Sequence, residues 1–182
     1  VFNALKKSDL DPNGKFFLER YIAAHAIMIS FEGIPAIYFN SLFGKANDEA
    51  KYVITGNNRD VNRYKWNYKN ITKKLSDKNS KQSIFYQNLG KLLEIKRKQK
   101  AFHPNAKRLN INLGSKIFCY ERISLDKKQT IICITNLSTK LQYIKINKNL
   151  IKYRDLLGRK TFFTLDKKIK LDPCQTIWLS NR

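Results

Sequence analysis

In the stretch Thr55-Gly56-Asn57-Asn58-Arg59-Asp60-Val61-Asn62-Arg63-Tyr64-Lys65-Trp66, two arginines stand four residues apart in a polar loop. A guanidinium is a planar fork that grips a phosphate, a carboxylate or vicinal sugar hydroxyls through two parallel hydrogen bonds, which a lysine cannot do in the same geometry. Arg59 and Arg63 are therefore candidates for an anion or sugar site. The same residues could instead form structural ion pairs with Asp48, Glu49 or Asp60, and spacing alone leaves both roles open. Other chemistry is poorly provided for. Retaining glycoside chemistry needs two carboxylates about 5 Å apart on different elements. Asp48 and Asp60 share one polar loop, with no apolar pocket to raise an acid's pKa, and both read as structural. His25 falls inside an apolar helix and His103 beside Pro104, positions that suit hydrogen-bonded packing residues better than ligands, so no metal site is expected. Ser41, Cys119 and Cys133 have no histidine in a credible arrangement, and no glycine-rich phosphate loop or dinucleotide fingerprint occurs.

The elements that must position the arginines follow from pattern. After the turn cluster Asp11-Pro12-Asn13-Gly14, the residues Phe17, Tyr21, Ala24, Met28 and Phe31 recur at helical spacing, and Ile22, Ala23, Ala26 and Ile27 make the helix apolar nearly all round. Gly33 ends it. Ile34 to Phe39 is a short continuous apolar run, the pattern of a parallel strand covered on both faces. Asn40 to Trp66 is polar and without sustained period, longer than an ordinary connection, which favours a functional loop. Helices are expected over Asn70 to Leu75 and from Ser80 to about Lys100, the latter with a basic C-terminal end. Beyond Phe102-His103-Pro104, six short β-type runs follow: Leu109–Leu113, Ile117–Tyr120, Ile131–Ile134, Tyr143–Ile146, Ile169–Leu171 and Thr176–Leu179. They succeed one another too quickly for crossover helices, so the sheet should be antiparallel.

Composition bounds the partners. The 182 residues are 42% apolar and 12% aromatic, enough for a packed core. Lys+Arg 36 against Asp+Glu 14 gives a net charge of +22. The excess is mostly Lys scattered at turns and helix surfaces amid abundant Asn and Ile, with no RNP-type aromatic motif, zinc finger or helix-turn-helix; specific nucleic-acid binding is not expected, although a basic RNA-binding module remains the competing class. Three widely spaced cysteines, Cys119, Cys133 and Cys174, fit reduced thiols and a cytoplasmic location. No tract is long and apolar enough to span a membrane. The sequence starts Val1-Phe2-Asn3-Ala4-Leu5, without an initiator Met or signal pattern, and reads as a piece of a longer protein.

Taken in order, Tyr21 to Phe31, Gly33-Ile34-Pro35-Ala36-Ile37-Tyr38-Phe39, Asn47-Asp48, Asn58-Arg59-Asp60-Val61-Asn62-Arg63, Phe102-His103-Pro104-Asn105 and Gln175-Thr176-Ile177-Trp178-Leu179 resemble the C-terminal third of the sucrose phosphorylase group. This group, with its glucosylglycerate phosphorylase-like relatives, lies in the α-amylase superfamily, glycoside hydrolase family 13. The resemblance implies an α/β plus β architecture: residues 1–101 the last αβ unit and closing helix of a (β/α)8 TIM barrel, residues 102–182 a small antiparallel C-terminal β domain. It implies retaining transfer of an α-glucosyl unit from a disaccharide, of sucrose or glucosylglycerate type, to inorganic phosphate, without cofactor or metal. The nucleophilic Asp, the acid/base Glu and the stabilising Asp all lie upstream in the family, so no catalytic residue is assigned here and this segment alone should be inactive. Arg59 matches the family's arginine that reaches the glucosyl and phosphate region, and Arg63 is the weaker substrate-binding candidate. Asn3 departs from the acidic residue usual in relatives. A homodimer is compatible with the resemblance.

Overall fold

The computed structural model describes residues 1–158 and 168–182. The first part is helical: α1 (Phe2–Lys6), α2 (Phe17–Ser30), α3 (Phe39–Leu42), α4 (Glu49–Thr55), α5 (Tyr68–Ser76) and α6 (Lys81–Arg97), with 3-10 turns at Asn58–Val61 and Lys100–Phe102. The second part supplies β1 (Lys107–Asn112), β2 (Ile117–Ile123), β3 (Thr130–Asn136), β4 (Gln142–Ile144), β5 (Arg154–Asp155), β6 (Ile169–Leu171) and β7 (Thr176–Ser180).

Helix starts fall where side chains can take up orphan amides. The Ser80 hydroxyl accepts from the Ser83 amide at 3.1 Å to cap α6, and Asn67 accepts from Asn70 at 3.2 Å to cap α5. No side chain caps α2 directly. There the buried Asp11 carboxylate accepts the Lys15 and Phe16 amides at 2.8 and 2.9 Å and pairs with Arg20 at 2.9 Å, fixing the turn that delivers the chain into the helix.

Five strands form an antiparallel sheet in the order β1-β2-β3-β7-β5, and β4 and β6 pair as a separate ribbon. Side chains alternate across a strand, which sorts β3 cleanly. Ile131 and Cys133 join one core with Tyr21, Ala26 and Ile29 of α2, Phe85, Leu89 and Leu92 of α6, and Trp178. Ile132 and Ile134 join a second core with Ile144, Ile169 and Leu171 of the ribbon. Both faces of β3 are thus covered, which is why Ile131–Ile134 has no polar alternation. Tyr21, Leu89 and Trp178 are each fully enclosed, and burying one such side chain contributes about 1.5–3 kcal/mol. The first core runs across residues 101/102, where the Phe102 and Trp178 rings meet edge to face at 4.8 Å.

The helical layer is also tied to the sheet by Arg122 on β2, whose side chain is fully buried. Its guanidinium donates to the carbonyls of Ser30 at 2.5 Å, His103 at 2.7 Å and Ala106 at 3.3 Å. It therefore satisfies the end of α2, where unpaired carbonyls carry partial negative charge, while its Nε finds no partner. Beside it the Ser30 hydroxyl meets the Tyr120 hydroxyl at 2.5 Å.

Two expectations need correction. Ile34 to Phe39 form no strand: 34–38 run without a ladder, Ile34 is 85% exposed, and Phe39 opens α3 at 57% exposure. An extended segment becomes a strand only when a neighbouring strand takes up its N–H and C=O groups, and among the described residues no strand pairs with 34–38, whose Tyr38 carbonyl instead starts α3. Only Ile37 of this run packs against the first core. The polar tract from Asn40 to Trp66 is also more ordered than its lack of period predicts, since it holds α3, α4 and a 3-10 turn.

Candidate functional site

The arginine loop is built by short-range capping. Asp48 accepts from the Lys51 amide at 3.2 Å to start α4, Gly56 ends α4 in the left-handed region at φ 64°, and Asn57 accepts from the Arg59 amide at 3.0 Å to start the 3-10 turn that carries Arg59. Asp60 pairs with Lys51 at 3.3 Å. Hydrogen bonding to Thr55, followed by Lys51, holds the Asp60 carboxyl below its usual range.

Loop and body are then joined through Asn40. This buried side chain donates to the carbonyls of Asn62 at 3.0 Å and Tyr64 at 3.1 Å, and its oxygen accepts from the Trp66 indole at 2.8 Å. Tyr38 adds a hydroxyl donation to the Asn62 carbonyl at 3.0 Å, and the Asp48 amide donates to the Val61 carbonyl at 2.6 Å. Trp66 packs edge to face on Phe43 and Tyr64, and the Lys45 ammonium lies 4.1 Å from the Tyr64 ring centre. On the other side Asn3 accepts from the Asn47 amide at 2.9 Å. The residue that departs from the family pattern thus still holds the loop by a backbone bond.

Arg59 and Arg63 are both exposed. Among the described residues neither guanidinium is in an ion pair within 4 Å or a side-chain hydrogen bond, although the Arg63 charge still acts on the Asp60 carboxyl. The loop's acids are engaged elsewhere: Asp48 as a cap, Asp60 with Lys51, and Glu49 as a weak acceptor from Asn3. What remains free is cationic and forked, suited to an anion or to sugar hydroxyls. A cleft of about 230 Å³ lies next to the loop, lined by Tyr38, Asn40, Ser41, Lys45 and Asn62 together with the N-terminal residues Val1 and Phe2. The arginines do not line it. A larger, open cleft of about 550 Å³ is lined by residues 145–151 and Tyr153 and does not involve the arginine loop.

The remaining sequence candidates are structural in character. His25 is buried, with its Nδ1 2.9 Å from the Tyr21 carbonyl, and His103 accepts from the Asn105 amide at 3.2 Å. All three cysteines are buried, and burial pushes the Cys119 thiol up to about 12. Among the described residues no group of three or more His, Cys, Asp or Glu is gathered as a metal ion requires, and no helix is long and apolar enough to cross a membrane. Asn40 is the site residue that sequence reasoning missed; its one signal is a polar amide directly after an apolar run.

In class, the fold of this chain, a helical layer packed on an antiparallel sheet, matches part of solved enzymes of the amylase family. The trehalose-6-phosphate hydrolase of Bacillus licheniformis superposes with a TM-score of 0.66 at 16% identity, covering 95% of this chain and 40% of that one. The α-amylase from H. orenii gives 0.65 at 17% identity over 90% of this chain and 36% of its own. At these identities the likeness is one of fold. More particularly, the chain is a homologue of the glucosylglycerate phosphorylases: it is 33% identical to that of Escherichia coli K12 over 167 residues, 88% of this chain, and 31% identical to that of Allomeiothermus silvanus over 152 residues, 83% of this chain. It spans 28% and 27% of those two relatives. No protein-family model matches it.

Proposed function

We propose that the chain is the C-terminal part of a glycoside phosphorylase that transfers an α-glucosyl unit from a disaccharide to inorganic phosphate with retention, giving α-glucose 1-phosphate. Homology to glucosylglycerate phosphorylases favours a glucosylglycerate-type donor over sucrose. The observation that carries this reading is Arg59, an exposed guanidinium whose neighbouring acids are all engaged elsewhere, on a loop matched in those relatives. In this reading residues 1–101 supply the last portion of the barrel and residues 102–182 the β domain. The backbone of 34–37, which joins no ladder, is the edge that adjoining barrel strands would pair.

In retaining phosphorolysis the anomeric carbon exchanges the aglycone oxygen for an enzyme carboxylate, then the carboxylate for a phosphate oxygen. Those carboxylates belong to the upstream barrel. Arg59 contributes positive charge where phosphate must compete with water, and its fork fixes the phosphate's orientation. The 182-residue chain alone should therefore release no glucose 1-phosphate from phosphate and glucosylglycerate or sucrose. In the enzyme that includes the upstream barrel, Arg59→Lys should lower phosphorolysis by about 10²-fold or more, as loss of one preorganised donor does. Turnover by the chain alone, or unchanged kinetics in Arg59→Lys, would overturn the reading.

A further inference from the structure

We propose that Asn40 is the positioning residue of the arginine loop, a three-way clamp that seats residues 59–63 by holding the loop's C-terminal limb. Asn40 spends its whole amide on this limb: both N–H donors go to the Asn62 and Tyr64 carbonyls, and the oxygen takes the Trp66 indole proton. It is buried, and it lies on α3, whose own place is fixed by the Tyr21 hydroxyl donating to the Ser41 carbonyl at 2.7 Å. A rigid path therefore runs from α2 through α3 to the loop. Apart from Asn40, the polar ties near the arginines include the Tyr38 hydroxyl at Asn62, the Asp48 amide at Val61 and the Lys51 ion pair with Asp60. No apolar residue of the 3-10 turn itself is buried, and the packing of this limb lies beyond it, at Tyr64 and at Trp66 against Phe43. An asparagine is required because it alone pairs two donors with an acceptor on a short stem; aspartate keeps the acceptor and loses both donors.

The consequence for phosphorolysis rests on the role given to Arg59 above, but the clamp itself does not, and it can be tested in the 182-residue chain without turnover. Two readouts serve. Trypsin cuts after Arg59, Arg63 and Lys65, so nicking there reports whether the loop is seated. The protein has two tryptophans, and their indole N–H resonances are separate reporters, because Trp66 is bonded to Asn40 while the Trp178 indole, enclosed in the core, has no hydrogen-bond partner among the described residues. In Asn40→Ala, cleavage within 59–65 should accelerate about tenfold or more, and the Trp66 indole proton should exchange with water while the Trp178 signal stays in place. Asn40→Asp should keep the Trp66 signal yet still nick faster, because the carbonyl ties are lost. Trp66→Phe should change nicking less than Asn40→Ala. Nicking at the wild-type rate in Asn40→Ala with the Trp178 signal unmoved would overturn the clamp. If Trp178 shifts as well, the residue supports the whole fold and the proposal also fails.

Discussion

His25 shows how a titratable group can be committed to the interior. Its ring is 3% exposed, lies 4.3 Å from the Tyr21 ring, and bonds through Nδ1 to the Tyr21 carbonyl, which places the proton on Nδ1. Burial outweighs that bond and lowers the pKa from its ordinary 6.5. The unfolded chain therefore takes up this proton at a higher pH than the folded one. The contribution to stability is complete above about pH 6.5 and declines as pH falls below it toward the folded value. We expect the melting temperature to drop as pH falls below about 6.5, and the His25 imidazole to titrate in NMR spectra with a midpoint below the ordinary 6.5. A measured midpoint at or above 6.5 would contradict this account.

Between elements, the turn after α3 comes close to α6. Gly44, at φ 54°, lies where an added Cβ would come within 2.6 Å of the Phe85 ring. Phe85 is itself wedged against Phe2, Phe17 and Tyr21, so it has little room to yield. Gly44→Ala should cost about 1–3 kcal/mol from overpacking, in addition to the left-handed backbone penalty. Gly56→Ala, also at positive φ but with nothing within 4 Å, should cost the backbone penalty alone. Urea midpoints showing equal losses for the two would refute the steric argument. This is also the scale at which legibility in the sequence changes. The long helices and six of the strands can be read because their apolar periods are local, and each falls within a few residues of its observed bounds. The two-residue β5 has no period to read. Ile34 to Phe39 misleads for the opposite reason: its composition records a strand's surroundings, and a strand depends on partners as much as on its own side chains. At the site, Arg59 and Arg63 are legible from residue type, while Asn40 is not, because its role consists of bonds to carbonyls more than twenty residues away.

Over the whole molecule, charge is the dominant surface property. The six ion pairs among the described residues engage few of the 36 basic side chains, and with only 14 acidic residues the net +22 is left without counter-charge on the protein. Such a surface attracts any polyanion through counterion release. In fluorescence anisotropy the chain should bind unrelated RNA oligonucleotides alike at about 50 mM salt and lose at least about 10³-fold in affinity by about 200 mM. Affinity that survives and depends on sequence would favour the RNA-binding module instead.

The Arg122 tie and the core beneath it also constrain inheritance. A genetic crossover at the passage from helix to strand would leave the Arg122 guanidinium without the Ser30 carbonyl and the Tyr120 hydroxyl without the Ser30 hydroxyl, unless the incoming half brought a matching α2 terminus. Helical layer and sheet should therefore be transmitted together, as one cassette, however freely the loops between them diverge.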